Sequence, residues 1–233
     1  MDNAVIGQFI LYMVALIFSL SVHEAMHAWM SNRFGDDLAY HQGRVSLSPV
    51  THVDPIGTLL FPAIAFFTGA PLLGWARPTP VNPLRWREKR KANFWVSIAG
   101  ILGNLAIAVV IGLIIRALFH TGQLGPVTIS SSGYFTIIPL DPNSSTMEAI
   151  VALLRVFFVM NIGLAVFNLF PIPPLDGSKI LASILPESFG SAIEAIEQYG
   201  FIILLLALFT GAFRAVFGVV IPLAWKILFV GVV

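Results

Sequence analysis

The sequence predicts an all-α polytopic membrane protein, a bundle of about five to six transmembrane or re-entrant helices with a small β element at the cytoplasmic interface. Hydrophobic residues make up 57% of the 233 residues, charged residues make up 11%, and the mean hydropathy is +0.87. An ordinary soluble domain carries about 25% charged residues. Apolar runs of about 20 residues, each long enough to cross a bilayer, recur along the chain.

The composition also excludes several classes of protein. So few charged residues exclude a soluble enzyme, and so many apolar residues exclude a disordered chain. The net charge of +1 supplies no field that attracts a polyanion, so we expect no nucleic-acid partner. The absence of cysteine excludes a disulfide scaffold and thiolate metal ligands. We expect one integral-membrane domain over 1–233, with a core at about 4–180 and C-terminal helices at about 199–233.

Four apolar runs and one apolar block predict the helices in chain order. The runs are 4–30, 56–75, 92–119 and 147–170, and the block is 199–233. The first run follows neither a basic leader nor a cleavage site, so we expect a membrane helix rather than a signal peptide. The final block breaks near 211–214, which predicts two short spans.

The second run is interrupted by Pro62, Gly69 and Pro71, which disturb helical hydrogen bonding. Irregular backbone at membrane depth is tolerated only where protein or a water-filled cavity covers it. These residues favour a segment that dips into the membrane and returns to the same side, while a full span remains the alternative. Residues 43–49, between the first two runs, alternate apolar and polar side chains, which predicts a short strand at the cytoplasmic interface.

Basic residues predict the orientation of the bundle. Six of the 13 Lys and Arg residues lie between Arg77 and Lys91, and none lies between Arg116 and Arg155. Cytoplasmic loops of membrane proteins carry the excess of Lys and Arg. We therefore expect 85–91 to be cytoplasmic and the loop at 121–146 to be external.

The first apolar run carries a cluster of ionisable residues, His23, Glu24 and His27, in the pattern His-Glu-x-x-His. Residues four apart lie on the same face of a helix, so the two imidazoles can bind one zinc ion. Glu24 lies on the flank of that face, where it reaches a metal-bound water rather than the metal. Ionisable residues inside an apolar helix are costly and usually functional. The alternative is a helix end at the interface, where water solvates these side chains.

A catalytic zinc normally has three protein ligands, so a third ligand is needed. Asp176 is the candidate, in the sequence FNLFPIPPLDGSK at 167–179. The prolines of this segment cannot continue a helix, and Gly177 permits a tight turn. An Asp in an unwound segment at membrane depth can bind a metal, or it can cap the following helix. The residues alone leave both roles open.

Together these segments resemble the site-2 protease family of intramembrane zinc metalloproteases. The family combines an HExxH helix with a later Asn…Pro…Leu-Asp-Gly segment, here HEAMH at 23–27 and NLFPIPPLDG at 168–177. The resemblance implies one Zn²⁺ per chain, held by His23, His27 and Asp176. It also implies that Glu24 is the general base that activates a zinc-bound water. Asn168 would match the Asn that helps to hold or polarise the scissile carbonyl.

Three further segments are similar to family segments, namely GRVSLSPVTHVDPIGT at 43–58, GWARPTPVN at 74–82 and AGILGN at 99–104. The family's Ala-Gly-Pro reads Ala-Gly-Ile at 99–101, a departure that removes no ligand. The length leaves no room for the PDZ or CBS domains of longer members, so the resemblance implies a short member. His52 lies in the first of these segments, where it either lines the site or is a hydrogen-bonded interface histidine.

The resemblance implies an enzyme that hydrolyses membrane-embedded protein substrates, as in regulated intramembrane proteolysis. It implies a multi-pass protein of the prokaryotic plasma or inner membrane. The substrate must present an unwound stretch, with which a strand at 43–49 would pair. The alternative is a membrane metal-ion transporter that uses the same His/Asp cluster, although such proteins usually show internal repeats, and none is visible.

The predicted topology is testable with single cysteines, because the chain has none. A membrane-impermeant maleimide is expected to label Glu88→Cys only from the cytoplasmic side and Asn143→Cys only from the outside. Labelling of position 88 from outside would contradict the orientation. If the second run is re-entrant, Asp54→Cys and Ala76→Cys label from the same side, and labelling from opposite sides would show that it spans.

Overall fold

The structure is a computed structural model that describes residues 2–71, 74–125, 127–129, 135–141 and 143–230. Within them, the α-helices in chain order are α1 (Asn3–Arg33), α2 (Leu38–His41), α3 (Pro49–His52), α4 (Phe61–Thr68), α5 (Lys89–His120), α6 (Ser145–Leu169), α7 (Asp176–Ile184), α8 (Gly190–Phe209) and α9 (Ala212–Leu228). A π-helical stretch, Pro55–Leu60, leads into α4, and short 3₁₀ turns occupy Pro83–Arg85 and Glu187–Phe189. Two-residue strands β1 (Thr128–Ile129) and β2 (Phe135–Thr136) pair antiparallel.

The helices confirm the predicted membrane bundle. Among the described residues, four helices are long and apolar enough to cross a membrane, namely α1, α5, α6 and α8. The final apolar block does break at Gly211, between α8 and α9. However, α8 begins at Gly190 rather than at 199. Its first turns carry the exposed residues Glu194 and Glu197, so they do not belong to the apolar run.

The centre of the bundle is α5, which packs along both α1 and α6. Helix α9 packs against α6, where the Phe158 and Trp225 rings lie 4.5 Å apart. These side chains belong to one buried apolar cluster that also contains Ile115 of α5 and Phe229. The half of α1 that carries the ionisable cluster faces α5, since the His23 and His27 rings lie against Gly100. Helix α7 also packs against α5.

The second apolar run folds as a hairpin. The π-helical stretch and α4 run away from Asp54, and the chain returns to Trp75 beside the start of the same helix. The Trp75 amide donates to the Gly57 carbonyl at 3.1 Å, and the Thr58 hydroxyl donates to the Trp75 carbonyl at 2.8 Å. The two ends of the run thus lie together, as a re-entrant segment requires, although residues 72 and 73 lie outside the described part.

The predicted strand at 43–49 is wrong. Its backbone forms turns and bends that lead directly into α3 at Pro49. The Ser46 carbonyl accepts from the His52 ring at 2.8 Å, and the Arg44 amide donates to the Ala39 carbonyl at 2.9 Å. The His52 side chain and a carbonyl of α2 thus take up hydrogen-bonding groups of this backbone. Residues 43–49 therefore do not pair as a strand.

The strands that do form, β1 and β2, belong to the predicted external loop at 121–146 rather than to the cytoplasmic interface. Parts of that loop, at 126, 130–134 and 142, lie outside the described residues.

The C-terminal helices support the loop that precedes Asp176. Leu175 of that loop is buried in one apolar cluster with Leu204 of α8 and Phe213 of α9. Helix α8 also meets Pro173 at Gly200, where an added Cβ would lie 2.4 Å from the proline Cβ and 2.7 Å from its carbonyl oxygen. This contact leaves no space for a side chain at position 200.

Gly200→Ala is therefore expected to lower the free energy of unfolding by about 1–3 kcal/mol, the usual cost of overpacking. Gly218→Ala in α9 is the matched control, because nothing lies within 4 Å of a Cβ there. Alanine favours a helix over glycine by about 1 kcal/mol, so the control should melt at or above the wild-type temperature. Thermal unfolding in detergent, followed by circular dichroism, measures both. Equal melting temperatures for the two variants would contradict the close contact.

Candidate metal centre

Three buried side chains from distant parts of the chain converge at the face of α5. His23 and His27 lie on successive turns of α1, and Asp176 is the first residue of α7. The Nε2 atoms of the two histidines are 3.0 Å apart, and each lies 3.1 Å from Asp176 Oδ2. The structure thus brings together the three residues predicted to hold the metal.

The donor set fits zinc in identity and spacing. Zinc binds imidazole nitrogen and carboxylate oxygen at about 2.0–2.2 Å in tetrahedral sites, which spaces ligand atoms roughly 3.4 Å apart. Helix α5 also fixes one ring, since the His27 Nδ1 lies 2.6 Å from the Val96 carbonyl oxygen. A carbonyl only accepts, so Nδ1 carries a proton, and in the neutral ring Nε2 presents a lone pair. In that form the lone pair and the Asp176 carboxylate lie 3.1 Å apart, as two ligands of one cation would.

Two glycines make the convergence possible. A Cβ on Gly100 of α5 would lie 2.6 Å from His27 Nε2 and 2.7 Å from His23 Cε1, so only glycine lets the rings lie against this helix. A Cβ on Gly177 would lie 2.2 Å from the Leu169 carbonyl oxygen. The departure at 99–101 from the family's Ala-Gly-Pro keeps the glycine that the rings require.

The structure bears on one of the two roles left open for Asp176, that of a helix cap. The N-cap of α7 is Leu175, and no side chain caps this helix. Oδ2 of Asp176 points at the histidines, and Oδ1 lies 3.4 Å from the Lys179 ammonium. The carboxylate therefore faces the cluster instead of capping its helix.

Glu24 is adjacent to the ligand pair and is held by Thr79. The Thr79 amide donates to Glu24 Oε2 at 2.9 Å, and the Thr79 hydroxyl lies 2.8 Å from the same oxygen. The described contacts leave Oε1 with no hydrogen bond. The half-buried carboxylate is thus oriented through one oxygen, and the other oxygen is available to accept a proton.

Two other predicted residues lie apart from the cluster. The Asn168 amide donates to the Leu164 carbonyl in its own helix at 3.0 Å, and no described hydrogen bond joins it to the cluster. His52 is buried, and its Nε2 donates to the Ser46 carbonyl at 2.8 Å. Burial lowers the pKa of His52, which favours the neutral ring. His52 is accordingly a buried, hydrogen-bonded histidine and not a member of the metal cluster.

Sequence reasoning missed the roles of Thr79, Gly100 and Asn104. Their segments are similar to family segments, but that similarity indicates no contacts for these side chains. One signal was available for Asn104, an uncharged amide in the middle of a long apolar helix, where an unpaired polar group is costly. Thr79 gave a weaker signal, because the prolines on both sides of it hold the chain extended and keep its amide out of a helix.

Comparison with known proteins agrees with this geometry. The model of Peptidase family M50 matches residues 11–210, which include all three cluster residues. YwhC of Bacillus subtilis, named as a candidate zinc metalloprotease, is 36% identical over 197 residues, which cover 84% of this chain and 79% of YwhC. Rip2 of Mycolicibacterium smegmatis, named in the same way, is 28% identical over 207 residues, which cover 89% of this chain and 70% of Rip2.

The Rip2 protein of Mycobacterium tuberculosis is also 28% identical, over 200 residues that cover 86% of this chain and 67% of that protein. No solved structure is significantly similar to the chain. The family match spans well over half of the 233 residues and contains both halves of the ligand cluster. The chain therefore belongs to peptidase family M50, the site-2 protease family that its two motifs predict.

Proposed function

We propose that the chain is an intramembrane zinc metalloprotease that hydrolyses peptide bonds of membrane-embedded protein substrates. The observation that carries the proposal is the convergence of His23, His27 and Asp176 on one buried point within a bundle of membrane-spanning helices. The family and the names of the relatives support metalloprotease chemistry. Bacterial relatives favour the plasma membrane of a prokaryotic cell as its location.

One zinc per chain would bind His23 Nε2, His27 Nε2 and Asp176 Oδ2. When bound, zinc would supply Lewis acidity that lowers the pKa of a coordinated water toward neutrality. Glu24 Oε1 accepts the proton of the attacking water, while Thr79 holds Oε2 in place. Glu24 then returns this proton to the nitrogen of the leaving amine. A positioned acid–base group of this kind contributes about 10²–10⁴-fold to the rate.

The substrate must be unwound where it is cleaved, because a helix hides its amides in hydrogen bonds. Residues 75–79 lie beside Glu24. Every second amide of this segment donates a hydrogen bond to another part of the protein, as in an extended chain. The Trp75 amide donates to Gly57, the Arg77 amide to His52 and the Thr79 amide to Glu24. The substrate stretch would lie along the outer side of this segment.

The first test of the proposal is the metal content of purified protein. We expect about one zinc per chain in the wild type and little zinc in Asp176→Ala, because that variant loses one of three ligands. Asp141→Ala is the matched control, since this aspartate lies in an exposed loop and should keep its zinc. Elemental analysis after removal of loose metal gives the ratio. Full occupancy in Asp176→Ala would remove this residue from the ligand set.

The second test separates a protease from a transporter. Glu24→Gln keeps size and hydrogen bonding but cannot take a proton, so zinc should stay bound while cleavage of a membrane-embedded reporter falls by about 10²-fold or more. Glu148→Gln is the control, an identical exchange at an exposed position of α6. Undiminished cleavage in Glu24→Gln would exclude Glu24 as the base. No cleavage by the wild type, together with metal flux that depends on His23 and His27, would identify a transporter.

A further inference from the structure

We infer that Asn104 is a positioning residue that fixes the proton of His23, and that Asn161 fixes Asn104 in turn. The inference rests on the zinc site proposed above. Both amides are fully buried, at 0% exposure, on α5 and α6 respectively. Neither offers an atom to the ligand cluster, so their role is to act through His23.

The orientation of Asn161 follows from its partners. Its amide group lies 2.9 Å from the Phe157 carbonyl oxygen and 2.8 Å from the Ser19 hydroxyl. Because a backbone carbonyl only accepts hydrogen bonds, the nitrogen of the Asn161 amide must face Phe157. The Asn161 oxygen then faces Asn104.

The orientation of Asn104 follows from two acceptors. Its Nδ2 lies 2.9 Å from Asn161 Oδ1 and 3.1 Å from the Ser19 carbonyl oxygen. Each acceptor takes one of the two protons on Nδ2, so both contacts independently require the nitrogen of Asn104 on this side. The Asn104 Oδ1 is left facing His23 Nδ1 at 2.8 Å.

This arrangement determines the tautomer of His23. An amide oxygen cannot donate, so Nδ1 of His23 carries a proton. In the neutral ring, which is the form that binds a metal, Nε2 then presents its lone pair toward Asp176, 3.1 Å away. His27 reaches the same state through the backbone carbonyl of Val96, which no substitution of that side chain removes. The His23 ring depends instead on a side chain. Loss of such a partner of a metal-bound histidine typically costs about 10–100-fold in metal affinity.

A purely structural role is distinguishable, because the same amide has two functions. Its nitrogen links α5 to α1 and α6 through Ser19 and Asn161, and its oxygen orients His23. Asn104→Leu loses both functions. Asn104→Asp keeps an acceptor for the His23 proton and loses the two donated bonds.

The experiment measures zinc affinity by competition with a chromophoric chelator and measures the melting temperature of the zinc-free protein, both on the full chain in detergent. We expect Asn104→Leu to bind zinc about 10–100-fold more weakly and Asn104→Asp to bind it close to the wild-type level. Both variants should melt below the wild type. Asn143→Leu is the control, the same exchange at an exposed loop position, and it should bind zinc and melt like the wild type.

Wild-type zinc affinity in Asn104→Leu would overturn the inference, and so would equal weakening in Asn104→Asp. If neither variant folds, the wild type still answers the question, because its five histidines suit nitrogen-15 NMR of the ring atoms. The proton of His23 is expected on Nδ1, and a proton on Nε2 would overturn the inference. Absence of zinc from the wild type would overturn the proposed function and this inference together, whereas equal zinc affinity in wild type and Asn104→Leu overturns this inference alone.

Discussion

Holding two imidazoles and a carboxylate within 3.1 Å of one another inside an apolar bundle is the constraint on which the surrounding structure depends. Buried polar and charged groups cost free energy unless each finds a partner. Gly100 leaves space for the two rings against α5. Gly177 allows the start of α7 to lie in contact with the end of α6. The amides of Asn104 and Asn161 then satisfy the polar atoms behind the rings.

The parts of this arrangement that the sequence predicted are local. An apolar run predicts a membrane helix, because its length must match the thickness of the bilayer. Two histidines four residues apart predict that both rings lie on one face of a helix. Resemblance to a family supplied Asp176, which geometry alone left between two roles. The hairpin at 56–75 was favoured by its prolines and glycine, since irregular backbone rarely spans a membrane alone.

The parts that the sequence did not predict depend on tertiary contacts. Alternating side chains at 43–49 indicate the period of a strand but do not show that a partner strand exists. The His52 ring hydrogen-bonds to the Ser46 carbonyl, which a partner strand would otherwise need. The partners of Asn104 and Thr79 lie 81 and 55 residues away, at His23 and Glu24, so no local pattern reveals them. Asn168 matches the family motif, yet its amide bonds to its own helix, which the motif does not indicate.

The separation of the ligands along the chain has a consequence for biosynthesis. His23 and Asp176 are 153 residues apart, and the loop before Asp176 packs against Gly200 of α8. A ribosome makes α1 long before it makes Asp176 or the helix α8 that packs beside it. The nascent chain therefore carries an incomplete His/Asp cluster through most of its translation, and the three side chains can meet only after residue 176 has been made.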